Sequence, residues 1–313
     1  MDIKRGDFMK IDVVFEGGGV KGIGLIGAIC CFEDYGYEFN MLAGTSAGSI
    51  IAALLAVGYT GRELKSIMLE LDYNMFFKKK SLYHMNIIKK SINLFKDKGI
   101  YSGDQFENYI NKLILKKGKS TFKDIEIEGV SPLKIIASDV TEKNILILPD
   151  DLIKYGINPM DFEISKAIRM SISIPFYFKP VKFYHNGGCS YVVDGGILSN
   201  FPIWIFDTDI KPVRPTIGFK LVDVNKKYTS SPRMDFISYL FDIIGTMIDK
   251  NEEIYVKDKD AVRTVFIPTL GVKTTDFNIS KDMKIKLFNS GYKSAKKFLK
   301  FWNFDKYIRK YYM

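Results

Sequence analysis

The pentapeptide Gly44-Thr45-Ser46-Ala47-Gly48 sets a serine among small residues at a spacing that suits nucleophilic attack. A sharp strand-to-helix turn lifts the central hydroxyl out of a sheet, toward the positive end of the next helix, and crowds the residues two before and two after it. Glycine at both of those positions, Gly44 and Gly48, meets that demand. The same five residues would also make a tight turn whose serine only caps a helix.

A second cluster, Gly17-Gly18-Gly19-Val20-Lys21-Gly22, can converge successive backbone N–H groups on a negative oxygen. Taken as G-x-G-x-x-G over Gly17, Gly19 and Gly22, it fits a dinucleotide-binding fingerprint, which also asks for an acidic residue at the end of the second strand. Glu38 has the right spacing but precedes that strand. Taken as an oxyanion hole of Gly17, Gly18, Gly19 and Val20, the loop would face a tetrahedral intermediate at Ser46, which explains both clusters together. A plain glycine-rich turn remains a third reading.

A serine nucleophile needs a base, and the sequence has only 2 histidines. His84 lies in a lysine-rich stretch, and His185 sits in a turn-like His185-Asn186-Gly187-Gly188. Asp194, in Val192-Val193-Asp194-Gly195-Gly196, is the better candidate, because an aspartate at a strand end followed by two glycines allows close backbone approach. An ordinary aspartate is a poor base at neutral pH, so its site must be partly desolvated to raise the pKa. An Asx-type turn without chemistry is the competing reading.

Alternating strands and helices must position these residues. Ile11–Phe15 is a strand candidate that runs into the first glycine cluster, with a helix from about Val20 to Tyr35 behind it. Phe39–Ala43 is a short strand leading into Gly44, and the helix Ser49–Val57 is apolar all round, so it must be buried on every side. Further helices are predicted over Arg62–Leu71, Gly103–Leu115, Asp161–Ser171, Met234–Lys250 and Ser280–Trp302. Strands are predicted over Leu133–Ala137, Ile145–Leu148, Tyr191–Val193, Thr216–Leu221 and Val262–Ile267. The pattern predicts an α/β fold of three layers, a largely parallel central sheet with helices on both faces.

Of the 313 residues 47% are apolar and 14% aromatic, enough for a sizeable core. The net charge of +10 is concentrated. Residues 78–100 hold seven lysines against Asp97, and residues 281–313 hold ten Lys and Arg against Asp282 and Asp305. Two basic stretches on a slightly acidic body suggest an anionic partner such as a membrane surface, although an AT-rich genome also produces lysine-rich chains. The first ten residues show no apolar signal core, and no apolar run approaches the length of a spanning helix. Three cysteines, two of them adjacent, supply neither a disulfide framework nor metal-ligand spacing. A cytoplasmic protein with peripheral membrane contact is expected, with no metal.

In that order, Gly17-Gly18-Gly19-Val20-Lys21-Gly22, Gly44-Thr45-Ser46-Ala47-Gly48 and Asp194-Gly195-Gly196 resemble the motifs of the patatin-like phospholipases. Softer likenesses are Ala137-Ser138-Asp139, Ser173-Ile174-Pro175 and Gly196 to Pro202. The resemblance covers residues 11–207, the expected catalytic domain. Residues 208–313 carry no such motif and are expected to extend the same α/β core, ending in a basic amphipathic helix. It implies a serine–aspartate dyad without histidine, with Ser46 as nucleophile, Asp194 as base, the glycine loop as oxyanion hole and Lys21 at its basic position. It also implies a phospholipid or lysophospholipid substrate, no cofactor and no nucleic-acid partner. The stretch 72–102, mixing Met75, Phe76, Phe77 and other apolar residues with lysines, would suit a lid or membrane contact. A membrane- or partner-binding module on the same fold, silent until a protein activator binds, is the alternative.

Overall fold

The computed structural model of the chain describes residues 9–76, 96–185, 187–223, 239–240, 243–247, 258–274 and 276–312. The N-terminal unit comprises β1 (Met9–Phe15), α1 (Ile23–Asp34) and β2 (Tyr37–Thr45), then α2 (Ala47–Ala56) and α3 (Gly61–Glu70). β3 (Gly99–Tyr101), α4 (Asp104–Lys116), β4 (Leu133–Asp139), β5 (Asn144–Leu148) and α5 (Ile164–Ser171) follow. β6 (Phe176–Phe178) precedes the hairpin β7 (Val181–His185) and β8 (Gly188–Asp194). The chain closes with β9 (Thr216–Val222), α6 (Asp258–Ala261), β10 (Thr264–Pro268), α7 (Lys281–Phe301) and α8 (Phe304–Tyr311).

Eight of these strands form one sheet, in the order β10-β9-β1-β2-β4-β8-β7 with β5 on the other edge of β4. From β10 to β4 every pairing is parallel, whereas β5, β7 and β8 join antiparallel. The central parallel strands β1, β4 and β9 are buried along nearly their whole length from Ile11, Leu133 and Thr216 onward, as a layer on each side requires. Ile11, Val13, Phe15 and Leu42 join the main core with α1 and α2, while the alternate residues Val14 and Ala43 pack on the other face against Phe201 and Ile203.

Phe219, Ile267, Leu287 and Phe288 lie in one buried cluster with Ile11, Phe15 and α1. β9 pairs with β1, and Phe219 stacks on Phe15 at 5.2 Å between ring centroids. α7 lies against α1 so closely that a Cβ on Gly27 would run into the Phe288 carbonyl, and one on Gly291 into the Gly24 carbonyl. A buried ion pair, Lys220 Nζ to Glu16 Oε1 at 2.8 Å, ties β9 to the end of β1, and the Leu221 N–H donates to the second Glu16 oxygen.

Most elements lie where the sequence places them, with shifted ends. The helix expected from Val20 begins as a 3-10 turn, Gly19–Gly22, and α1 proper starts at Ile23. α2 starts directly after Ser46, and α5 is shorter at its start than the Asp161–Ser171 expectation. The short strands β3 and β6, the hairpin partner β7 and the helices α6 and α8 are additions. Of the stretch 72–102, residues 77–95, including His84 and most of its lysines, lie outside the described residues. Tyr73 and Phe76 are buried, with Phe76 against Phe106 and Tyr109. Most of the helix expected over Met234–Lys250 also lies outside the described residues; 239–240 and 243–247 are helical. Among the described residues no helix is long and apolar enough to cross a membrane.

Candidate active site

The sheet brings two distant segments together by topology. β2 runs parallel to β4 and its last residue, Thr45, pairs with Ile136; β8 runs antiparallel and its last residue, Asp194, pairs with Ala137. Because β5 occupies the opposite edge of β4 over the same residues, β2 and β8 share one edge and meet end to end. Ser46 and Asp194 follow from that meeting.

Ser46 leaves β2 with φ 51° and ψ −122°, a conformation that side chains avoid and that structures keep mainly where function requires it. The turn is tight enough to explain its flanks: a Cβ on Gly44 would strike the Gly48 backbone, and one on Gly48 would strike the Phe15 and Glu16 carbonyls. The Ser46 hydroxyl makes no capping bond to α2. It donates instead to Asp194 Oδ2 at 2.7 Å. The nearby α2 N-terminus favours negative charge at this position.

Asp194 is 1% exposed. Its Oδ1 accepts from the Gly196 N–H at 2.8 Å, so the Asx-type turn and the contact to Ser46 coexist on one carboxylate. Burial pushes its pKa up to about 6, against the opposing pull of the Ser46 and Gly196 hydrogen bonds. A Cβ on Gly195 would strike the Ile136 carbonyl, which accounts for the first glycine after the aspartate.

The first glycine loop flanks Ser46: a Cβ on Gly17 would sit 3.2 Å from Ser46 Cβ. Its four N–H groups are not equivalent. That of Gly17 donates to the Asn200 carbonyl at 3.0 Å and that of Val20 to the Thr274 carbonyl at 3.3 Å. Those of Gly18 and Gly19 have no partner among the described residues. Glu38, the acidic residue a dinucleotide site would want, pairs with Lys10 at the opposite end of β1 and β2.

His185 stands apart. It pairs with Gly188 at the far end of the β7–β8 hairpin, so Asp194 lies about 20 Å along the strand from that pair. Its ring meets Tyr155 edge-on at 4.9 Å, and its Nε2 lies 3.3 Å from Ser190 Oγ.

Sequence reasoning missed the support beneath the two residues. The end of α5 holds both: Ser171 Oγ accepts the Ser46 backbone N–H at 2.9 Å and donates to the Ile136 carbonyl at 2.6 Å, while the Ser173 carbonyl accepts the Asp194 N–H at 2.9 Å. Arg169, 4% exposed, fixes this corner by donating to Ser173 Oγ and to the Ser102 and Lys179 carbonyls. Burial pushes its pKa down, with Asp104 and Glu107 opposing. The likeness at Ser173-Ile174-Pro175 marks Ser173 without giving it a role, and nothing in the sequence marks Ser171 or Arg169.

From Ser46 an apolar pocket runs along one face of α2, where Ala47, Ile50, Ile51 and Leu54 recur at helical spacing. Phe106 and Tyr109 of α4 line it too. The arrangement can therefore place an apolar chain beside a hydroxyl, a buried carboxylate and two open N–H donors. Among the described residues no group of three His, Cys, Asp or Glu side chains could hold a metal ion.

Comparison with known proteins supports a common origin. The family model described as patatin-like phospholipase matches residues 13–207. The protein YqhO of Bacillus subtilis (strain 168) is 36% identical over 296 residues, covering 95% of this chain and 100% of that one. The probable lipid hydrolase 463L of Invertebrate iridescent virus 6 is 28% identical over 194 residues, 61% of each chain. VipD from Legionella pneumophila, a solved structure, shares the fold with a TM-score of 0.56 at 15% identity, over 93% of this chain but 66% of VipD, just under two thirds of its length. Since the family match covers more than half of the chain, this protein belongs to the patatin-like phospholipase family.

Proposed function

We propose that the chain hydrolyses acyl esters of phospholipids or lysophospholipids through an acyl-enzyme on Ser46. The observation that carries this reading is the 2.7 Å hydrogen bond from the Ser46 hydroxyl to Asp194, whose pKa burial has raised to about 6. At neutral pH that carboxylate is ionised, yet far more basic than an ordinary aspartate.

In this scheme Asp194 Oδ2 takes the hydroxyl proton as Ser46 Oγ attacks the ester carbonyl carbon. The carbonyl oxygen becomes an oxyanion held by the Gly18 and Gly19 N–H groups. Collapse breaks the bond to the alcohol oxygen, which leaves with the proton from Asp194 and gives a lysolipid or a glycerophosphodiester. Water, deprotonated by Asp194, then attacks the acyl-serine; fatty acid leaves and Ser46 regains its proton. The steps balance with water alone. The acyl chain would lie in the apolar pocket along α2, and Lys21 would keep the loop region positive.

A fluorophosphonate probe tests the nucleophile. Wild type should be labelled at Ser46, with labelling slowed about 10²–10⁴-fold by Asp194→Asn, the range for loss of a general base. Labelling at another serine, or none in folded protein, would count against the scheme; the latter would favour a silent module that awaits an activator.

A further inference from the structure

The proposed reaction uses one end of the sheet and leaves a second concavity without a role. A groove of about 750 Å³ lies between β10, α7 and α8 and shares no lining residue with the Ser46 pocket. β10 ends the order of described strands, so the groove sits at the sheet edge.

Its charge is one-sided. Lys293 and Lys297 stand one turn apart on α7, with Phe301 a further turn along, and Lys306 and Lys310 stand one turn apart on α8. All four lysines are exposed and line the groove, whereas no Asp or Glu lines it. None of the four makes an ion pair among the described residues. Lysines nearby do: Lys286 pairs with Asp282 at 2.7 Å and Lys259 approaches Asp207 at 3.9 Å. Lys310 Nζ lies over the Tyr311 ring, 5.0 Å from its centre.

The walls are aromatic. Phe298 and Trp302 stack at 5.3 Å, and Phe301 is 72% exposed beside them, with Phe266 of β10 at 40%. Four lysines without an ion pair among the described residues and an exposed phenylalanine on one concave surface call for an occupant that is anionic at one end and apolar at the other. An anionic phospholipid presented at a bilayer surface has that character: its headgroup meets the lysines while the aromatic rim enters the interfacial zone.

We propose that the groove of β10, α7 and α8 docks the anionic headgroup of a membrane phospholipid, apart from the pocket that holds the reacting ester. It adds a membrane contact to the proposed reaction but does not depend on Ser46 chemistry, so binding and hydrolysis are to be measured separately.

The test uses the full chain and vesicles of ether-linked phospholipids, which have no acyl ester to cleave, with and without phosphatidylserine. A first variant carries Lys→Gln at 293, 297, 306 and 310. A control carries Lys→Gln at the exposed Lys10, Lys112, Lys116 and Lys123, an equal change of net charge on other elements. One lysine near an anionic surface is worth roughly fivefold in binding, so the groove variant should lose at least about 100-fold toward phosphatidylserine vesicles. The control should lose far less, and both should still cleave a water-soluble short-chain ester. Equal losses in the two variants would reduce the effect to net charge and overturn the site, as would unchanged binding by the groove variant or no vesicle binding by wild type. Displacement from vesicles by millimolar inorganic phosphate at unchanged ionic strength would make the groove a free-anion site and overturn the lipid assignment.

Discussion

The burial that makes Asp194 basic costs stability as pH rises. Its folded pKa of about 6 lies above the ordinary 3.8, so between those values the unfolded chain releases a proton that the folded chain keeps. The Asp194 contribution is therefore fully present below about pH 4, falls as pH rises, and amounts to a loss of about 3 kcal/mol above pH 6. Asp194→Asn removes that titration. Denaturant midpoints should show the variant more stable than wild type at pH 8 by up to about 3 kcal/mol, with the gap closing toward pH 4. Equal stability at pH 8 would mean that the carboxylate is not desolvated. The kcat/KM of wild type should rise through pH 6 as the base ionises and then level off.

The elements act as clamps that set two short side chains within a hydrogen bond of each other. β2 and β8 abut on β4, and the end of α5 takes the backbone N–H of each partner. Ser171→Ala would leave the Ser46 N–H and the Ile136 carbonyl without this shared partner, a cost of about 1–3 kcal/mol for buried groups. With the elbow loosened, kcat should fall while KM changes little; kinetics on a soluble ester would show it, and an unchanged kcat would make Ser171 a bystander. Here the limit of sequence reading is plain. Gly44, Gly48 and Gly195 were legible because tight backbone leaves no room for a Cβ, and so was Asp194 behind its strand. Ser171 and Arg169 were not, since their roles depend on which carbonyls arrive beside them from β4, from Lys179 just after β6 and from the loop before α4. The strand β7 was not legible because the sequence assigns His185 to the turn with Asn186-Gly187, whereas it ends β7 and pairs with Gly188.

At the scale of the whole molecule, the family match ends at residue 207 but the sheet does not. We propose that 208–313 belongs to the folding unit of the catalytic part. β9 covers the edge of β1, and α7 covers α1, whose Leu25, Ile26, Ile29 and Phe32 are fully buried. A chain cut after residue 207 would expose that strand edge and that helix, and would leave Glu16 without Lys220. It should be insoluble or lack a cooperative unfolding transition, as calorimetry or circular dichroism would report. A truncated chain that unfolds cooperatively would make the last third a separate unit.

The most direct measurement is acyl release from mixed phospholipid vesicles by wild type, Ser46→Ala and Asp194→Asn, with chelator present and folding checked by circular dichroism. Release by wild type should be lost in Ser46→Ala and should fall about 10²–10⁴-fold in Asp194→Asn. Undiminished release by folded Asp194→Asn would contradict the serine–aspartate scheme.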